Sequence, residues 1–313
     1  MSSLLAFDFW ALVLTYAGIM AVFVLGLQLQ VGDTGLLNFG HVGFMAIGAY
    51  GTGLMVTNGV PLLLAIPLAV LIAAIAGVLI GIPTLRLRGD YFAIVTIAAG
   101  EILRIIIMNS QDVTGGTLGL RGASGSWGRR GTWKGVPGWF HDTFGINQKV
   151  PLLILTWLMA LVVALFLRHL GKSPWRRALR AVRENEDAAS AVGKNVFKLK
   201  LQSLGIGAGI AGLSGVLFTL YQTSLYPDNF LPIVTFIGFA ILILGGMGSY
   251  FGVIVGSIVI GFIIAGARFL DLPIDGDKLA AVQYMVVGLI IMAIMAFRPQ
   301  GLFGKKEELH LDG

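Results

Sequence analysis

Gly171-Lys172-Ser173-Pro174-Trp175-Arg176-Arg177-Ala178-Leu179-Arg180-Ala181-Val182-Arg183-Glu184-Asn185-Glu186-Asp187-Ala188-Ala189-Ser190-Ala191-Val192-Gly193-Lys194-Asn195 is the long charged interval of a chain that is otherwise almost all hydrocarbon. Ser173 and Pro174 read as the N-cap and first position of a helix. Trp175, Ala178, Leu179 and Val182 then fall at i, i+3, i+4 and i+7, leaving Arg176, Arg177, Arg180 and Arg183 off the apolar stripe. Asn185 can cap a second, short helix. Glu186 and Asp187 suit the positive end of its dipole, and Gly193 can end it in a left-handed turn. A charge run needed only to orient a membrane protein has no use for Glu184-Asn185-Glu186-Asp187, nor for small residues that let another surface approach. The interval therefore reads as a protein-facing docking element.

Outward from this loop the composition sets the class. Of 313 residues 56% are hydrophobic and only 12% charged, and the mean hydropathy is +0.86. Soluble domains carry about 25% charged residues, so the expected fold is an all-α polytopic membrane protein. The net charge of +6 would suggest nucleic acid in a soluble chain, but nine of the 22 Lys and Arg residues lie between Arg168 and Lys200. That clustering fits one cytoplasmic loop, with the lipid bilayer as surroundings and no nucleic acid as partner. There is no cysteine, hence no disulfide, thiolate metal site or Cys nucleophile. No Lys or Arg precedes Arg86, so the first apolar segment lacks the basic start of a cleaved signal and is expected to be retained.

Apolar runs of about 20 residues span a bilayer core, which predicts spans near 9–29, 61–82, 91–108, 150–167, 201–222, 250–267 and 279–297. Two more segments, 35–56 with its six glycines and 231–247 ending in Gly245-Gly246-Met247-Gly248, are candidates for broken or re-entrant stretches lining a pathway. The expectation is a single transmembrane domain over 1–313, a bundle of about 8–10 helices. Basic residues place the 168–200 loop and the 298–313 tail in the cytoplasm and the 109–149 loop outside. With nine spans the N-terminus is outside; with 35–56 re-entrant there are eight and it is inside.

No catalytic or cofactor chemistry is legible. Gly171-Lys172-Ser173 resembles the end of a phosphate loop, but Phe166 stands where that loop needs glycine. His41, His141, His169 and His310 have no metal-ligand spacing, and Ser203, Ser214 and Ser224 have no His and Asp arranged to activate them. Glu101 and Arg104 lie three apart on one helix face, where each can partly neutralise the other. A lone charge in hydrocarbon costs about 2.5–3.5 kcal/mol on insertion scales, so the pair should face protein or water. It reads either as a pathway pair or as a buried pair fixing helix register. Asn38 and His41 can contact a polar solute or fasten helices together.

Five motifs in order carry a resemblance: Leu85 to Thr96, Gly100-Glu101-Ile102-Leu103-Arg104, Thr114 to Leu120, Arg177 to Asn195, and Phe297-Arg298-Pro299-Gln300-Gly301-Leu302-Phe303-Gly304. Over nearly its whole length the chain resembles the M-type permease family (LivM) of branched-chain amino acid ABC importers. The resemblance implies a non-enzymatic permease of the bacterial inner (plasma) membrane, forming half of a translocation pathway. It implies as partners a second, H-type permease, two ATP-binding subunits and a periplasmic solute-binding protein. It also makes Ala188 to Asn195 look like a coupling helix. The expected coupling residues are thus Glu184, Asn185, Asp187, Ala188, Ala189 and Gly193, and the expected pathway residues Asn38, His41, Thr96, Glu101 and Arg104. Members of such a family also carry urea, short amides and aromatic acids, so the solute stays open. The alternative is an ion-gradient-driven secondary carrier; a membrane-embedded hydrolase lacks a nucleophile or metal cluster.

The absence of cysteine makes sidedness directly measurable. In intact cells an impermeant thiol reagent should label Gly125→Cys and not Asn185→Cys. The opposite pattern would invert the topology.

Overall fold

A computed structural model describes residues 7–87, 89–121, 147, 149–222, 224–266 and ten positions between 285 and 303. Most of the expected 279–297 span, of the 109–149 loop with its Trp127, Arg129, Arg130, Trp133 and Trp139, and of the 298–313 tail lies outside the described residues.

The architecture is all-helical. α1 (Phe7–Leu27) continues into a π-helical turn, Gln28–Asp33, and after an irregular stretch come α2 (His41–Thr57), α3 (Leu62–Thr84) and α4 (Gly89–Asn109). The short α5 (Gln111–Thr114) precedes α6 (Val150–Leu170). The charged interval forms α7 (Pro174–Glu184) and α8 (Glu186–Ala191), followed by α9 (Val196–Tyr221), α10 (Ile233–Gly245) and α11 (Tyr250–Gly266). One two-residue ribbon, Leu120–Arg121 against Ser224–Leu225, pairs Leu120 with Leu225 in antiparallel register. Among the described residues six helical stretches are long and apolar enough to cross a membrane: 7–33, 62–84, 89–109, 150–170, 196–221 and 227–245. The last includes a 3-10 turn, Pro227–Phe230, ahead of α10.

α1 and α9 form the centre, with 78% and 83% of their apolar windows buried, whereas α3, α4 and α6 bury only 22%, 17% and 28%. α9 packs on α3, α2 and α1; α1 in turn packs on α6, α11 and α10. Contacts between successive elements define the two ends of the bundle. At one, Asp33 meets α7, Tyr250 meets Asp33, and the amides of Leu302 and Phe303 donate to Leu244 and Gly245. At the other, Leu120 pairs with Leu225, Arg104 meets Asp228, and Lys149 meets Asp8. Each long helix therefore runs from one end to the other.

The glycine-rich 35–56 segment is interrupted only at its start. Residues 34–40 are non-helical, and from His41 the helix is continuous to Thr57. Its 17 residues cover about 25 Å, and the irregular stretch supplies the rest of the crossing. The glycines inside α2 serve close approach. A Cβ on Gly48 would lie 2.1 Å from Gly212 O in α9, and one on Gly215 would lie 2.0 Å from Met45 O in α2. Small residues at such crossings let backbones meet where no hydrophobic effect drives helices together. The expected 231–247 interruption falls at the turn Gly246–Ser249, where Gly245 of α10 and Gly252 of α11 face each other just as closely.

Gly48→Val should therefore drive α2 and α9 apart. A loss of stability on the order of 3 kcal/mol is expected from such overpacking, read as an early melting transition of the purified protein. Gly51→Ala, whose new methyl would meet only Ala69 Cβ at 3.8 Å, should melt like the parent. Equal melting of the two variants would remove close packing as the reason for these glycines.

Candidate functional site

The charged interval folds as its periodicity predicts. Leu179 and Val182 are buried at 0% and 1% exposure against the bundle. Three of the four off-stripe arginines, however, do not face open water. Arg176 Nε donates to Asp33 Oδ1 at 2.9 Å, its Nη2 lies 2.8 Å from the same oxygen, and Arg180 Nε lies 3.7 Å away. Arg183 Nη1 donates to the carbonyl of Gly32. Positions 176, 180 and 183 lie at i, i+4 and i+7, so one face of α7 closes over the π-helical end of α1. Tyr250 Oη donates to Asp33 Oδ2 at 2.9 Å, and its ring lies beneath the Arg176 guanidinium, 5.0 Å from centroid to Cζ. Asp33 is fully buried and both its oxygens are engaged.

Asp33 escaped the sequence reading, which ended the first span at residue 29. The available signal was a single carboxylate closing the first apolar run: a charge at that depth requires a partner. Nothing local says that the partner is 143 residues away.

Beyond this clamp α8 stands out from the bundle end. Asn185 ends α7 in an extended conformation and caps α8, its Oδ1 accepting from the Ala188 amide at 2.9 Å. Gly193 leaves α8 at φ +79°, the left-handed region in which glycine is favoured. Glu186 is ion-paired with Lys200 of α9, which fixes the knob's angle. Glu184, Asn185, Asp187, Ala188 and Gly193 are exposed as a docking surface requires. Ala189 is not. At 3% exposure it faces into the chain, because a six-residue helix resting on α9 must turn one side inward. The large apolar side chain on the outer surface is instead Val192, 74% exposed, which lies within the expected Ala188–Asn195 helix but not among the expected coupling residues.

The expected pathway residues separate into two groups. Near the opposite end, Arg104 donates from Nε to Glu101 Oε1 and Oε2 at 3.0 Å each and from Nη2 to Oε1 at 2.6 Å. Its Nη1 reaches Asp228 Oδ1 at 3.2 Å. Arg104 thus ties α4 to the turn before α10, and the two carboxylates leave the cluster with one surplus negative charge.

Asn38, Thr96 and His41 instead act within the protein. Asn38 Nδ2 donates to Gln30 Oε1 at 2.9 Å, its Oδ1 accepts from the Gly40 amide at 3.1 Å, and Thr96 Oγ1 accepts from the Phe39 amide at 3.1 Å. These bonds satisfy amides of the unwound 34–40 stretch that hydrocarbon would leave stranded. Asn38 and Thr96 also border a cavity of about 10 Å³, room for at most about one water. His41 is fully buried, with Nε2 3.2 Å from the Phe23 carbonyl. In this conformation these three fasten helices. Among the described residues no group of His, Asp and Glu could hold a metal ion.

Helices of spanning length, a polar-fastened unwound stretch and an exposed helical knob at one end define a multi-pass membrane protein of the permease kind. Residues 10–295 match the family model for the permease component of branched-chain amino acid transport systems, and the chain belongs to that family. It is 36% identical over 299 residues to the high-affinity branched-chain amino acid transport permease LivM of Escherichia coli, covering 92% of this chain and 68% of that one. It is 26% identical to the probable branched-chain amino acid permease LivM of Methanocaldococcus jannaschii, over 96% and 95% of the two chains. It is also 26% identical over 162 residues to Escherichia coli LivH, covering 51% and 49%. No solved structure matches the chain.

Removing one partner of a buried ion pair costs about 3–5 kcal/mol because the other charge is stranded. Asp33→Asn should destabilise the α7 seat, measured as faster proteolysis within 171–195. Asp33→Asn combined with Arg176→Gln should recover part of the loss. A double variant no better than the worse single one would show that the two groups are not coupled.

Proposed function

We propose that this chain is the membrane-spanning permease subunit of an ATP-driven importer, contributing half of the pathway for branched-chain amino acids or a related small polar solute. Its partners are a second permease, two ATP-binding subunits and a periplasmic solute-binding protein, and its site is the bacterial inner membrane. The basic end of the bundle is cytoplasmic and the ribbon end periplasmic. The proposal rests chiefly on the exposed α8 knob joined rigidly to the transmembrane core by α7 and Asp33. Force applied to α8 by an ATPase passes through α7 to the end of α1, and through Tyr250 to α11. The two relatives named LivM and the partial similarity to LivH, each named as a branched-chain amino acid transport permease, support this assignment.

Glu101, Arg104 and Asp228 then lie toward the periplasmic end, where a solute enters. Their surplus negative charge and half-exposed setting suit contact with a polar, amine-bearing solute. An ion-driven carrier needs an intramembrane carboxylate free to load a proton or sodium. Here Asp33 and Glu101 are both held by arginine.

The test uses the assembled transporter in proteoliposomes with ATP inside or outside and radiolabelled leucine. Val192→Asp and Ala188→Arg, both at exposed positions, should leave the melting transition unchanged, release the ATP-binding subunits and reduce uptake to background. Uptake by either variant at the parent rate would make the knob a passive loop. Uptake independent of ATP would remove the importer reading.

A further inference from the structure

Two cavities meet on the flank of the clamp. One, of about 550 Å³, is an open groove on the outer flank of the packed α3–α9 seam, walled by Ala74, Ile75, Val78, Leu79 and Ile206, with Leu170 of α6 at its edge. The other, of about 370 Å³, lies at the junction of α7 with the start of α9 and carries Lys194 and Lys198. Trp175 and Gln202 border both, and Trp175 Nε1 donates to Gln202 Oε1 at 2.8 Å, so an indole–amide pair marks the boundary between an apolar compartment and a basic one.

Each half lacks something. Ile75 and Leu79 are 48% and 62% exposed on spanning helices, so the first compartment opens toward hydrocarbon. Lys194 and Lys198 have no acidic partner among the described ion pairs, and the first turn of α9 contains no acidic residue. Cations at the positive end of a helix dipole oppose it, whereas an anion seated there would be favoured by the dipole and by both lysines. The ligand that satisfies the whole shape has an anionic head and an apolar tail, with the head at the level of an interfacial tryptophan. Free phosphate would leave the apolar compartment unused. A neutral lipid would leave the lysines unused.

We propose that the two adjoining grooves form a binding site for one anionic phospholipid, its acyl chain lying along the outer flank of the α3–α9 seam and its phosphate at Lys194 and Lys198. A lipid so placed braces the root of α7 and lies against the coupling loop without occupying the exposed surface of α8.

The full-length protein, purified in mild detergent within its assembled transporter, is titrated with phosphatidylglycerol or phosphatidylcholine of identical chains and weighed by native mass spectrometry. One phosphatidylglycerol should be retained roughly thirtyfold more tightly than phosphatidylcholine, as expected for two lysines near a headgroup. Lys194→Gln with Lys198→Gln should abolish that preference, and Ile206→Trp should expel both lipids. Both lysines are exposed, so their replacement spares the core, and if Ile206→Trp fails to assemble the lysine pair alone decides. Equal retention of the two lipids by the parent, or a preference that survives the lysine change, would overturn the site. So would displacement of phosphatidylglycerol by millimolar inorganic phosphate, which would identify a phosphate pocket. Loss of the ATP-binding subunits from the lysine variant with lipid preference intact would identify a protein contact instead.

Discussion

A carboxylate at zero exposure cannot stand alone, and the arrangement at the basic end follows from that constraint. Taking Asp33 out of water costs several kcal/mol unless charge and hydrogen bonds replace its hydration. Arg176, Arg180 and Tyr250 provide them from two elements distant in sequence. The pairing fixes where α7 lies, α7 fixes the position of Asn185, and Asn185 starts α8. A loop that composition alone would leave solvated is thereby rooted in the end of α1. The π-helical turn bearing Asp33 belongs to the same device, since such turns are uncommon and cluster at functional positions.

A second constraint acts deeper. Unwound backbone is tolerated at membrane depth only where its polar groups find partners. In the 34–40 stretch the partners are Gln30, Asn38 and Thr96, with backbone bonds from Leu36 to Gln30 and from Asn38 to Leu36. Thr34 completes the set through Ser203 Oγ at 2.7 Å. These residues join α1, α4 and α9 at one level of the bundle. Polar side chains that look like a solute path in one dimension here do the work of a missing helical turn.

The outer surface divides by the same logic. α3, α4 and α6 leave most of their apolar windows uncovered, which suits contact with lipid or another permease, while α1 and α9 are enclosed. Among the described residues charge gathers at the two ends: the arginines and lysines of α7 to α9 at one, and Glu101, Arg104 and Asp228 toward the other. Between the two ends lie packed helices, and glycines bring α2 into backbone contact with both α4 and α9.

The sequence by itself determined the class, most of the spans, and the two helices of the charged interval. Each of these depends on composition, period or a signal within a few residues, as with Pro174 at the first helical position or Asn185 with the Ala188 amide; Ser173 stands at the N-cap position, but its hydroxyl donates back to the Leu170 carbonyl and caps nothing. The pairing of Glu101 with Arg104 was likewise legible, because residues three apart on a helix must meet. Only the tertiary structure decided that Asp33 is the anchor of the loop, that Ala189 faces inward while Val192 faces out, and that Asn38 and Thr96 satisfy an unwound backbone. The glycines of 35–56 belong with these. Their number invited the expectation of a broken helix, but their role is fixed by Gly212, Gly100 and Thr96, partners brought within reach only when α2, α4 and α9 pack. Local pattern reports what a segment can form, whereas burial, facing direction and the partner of a charge depend on elements scores of residues away.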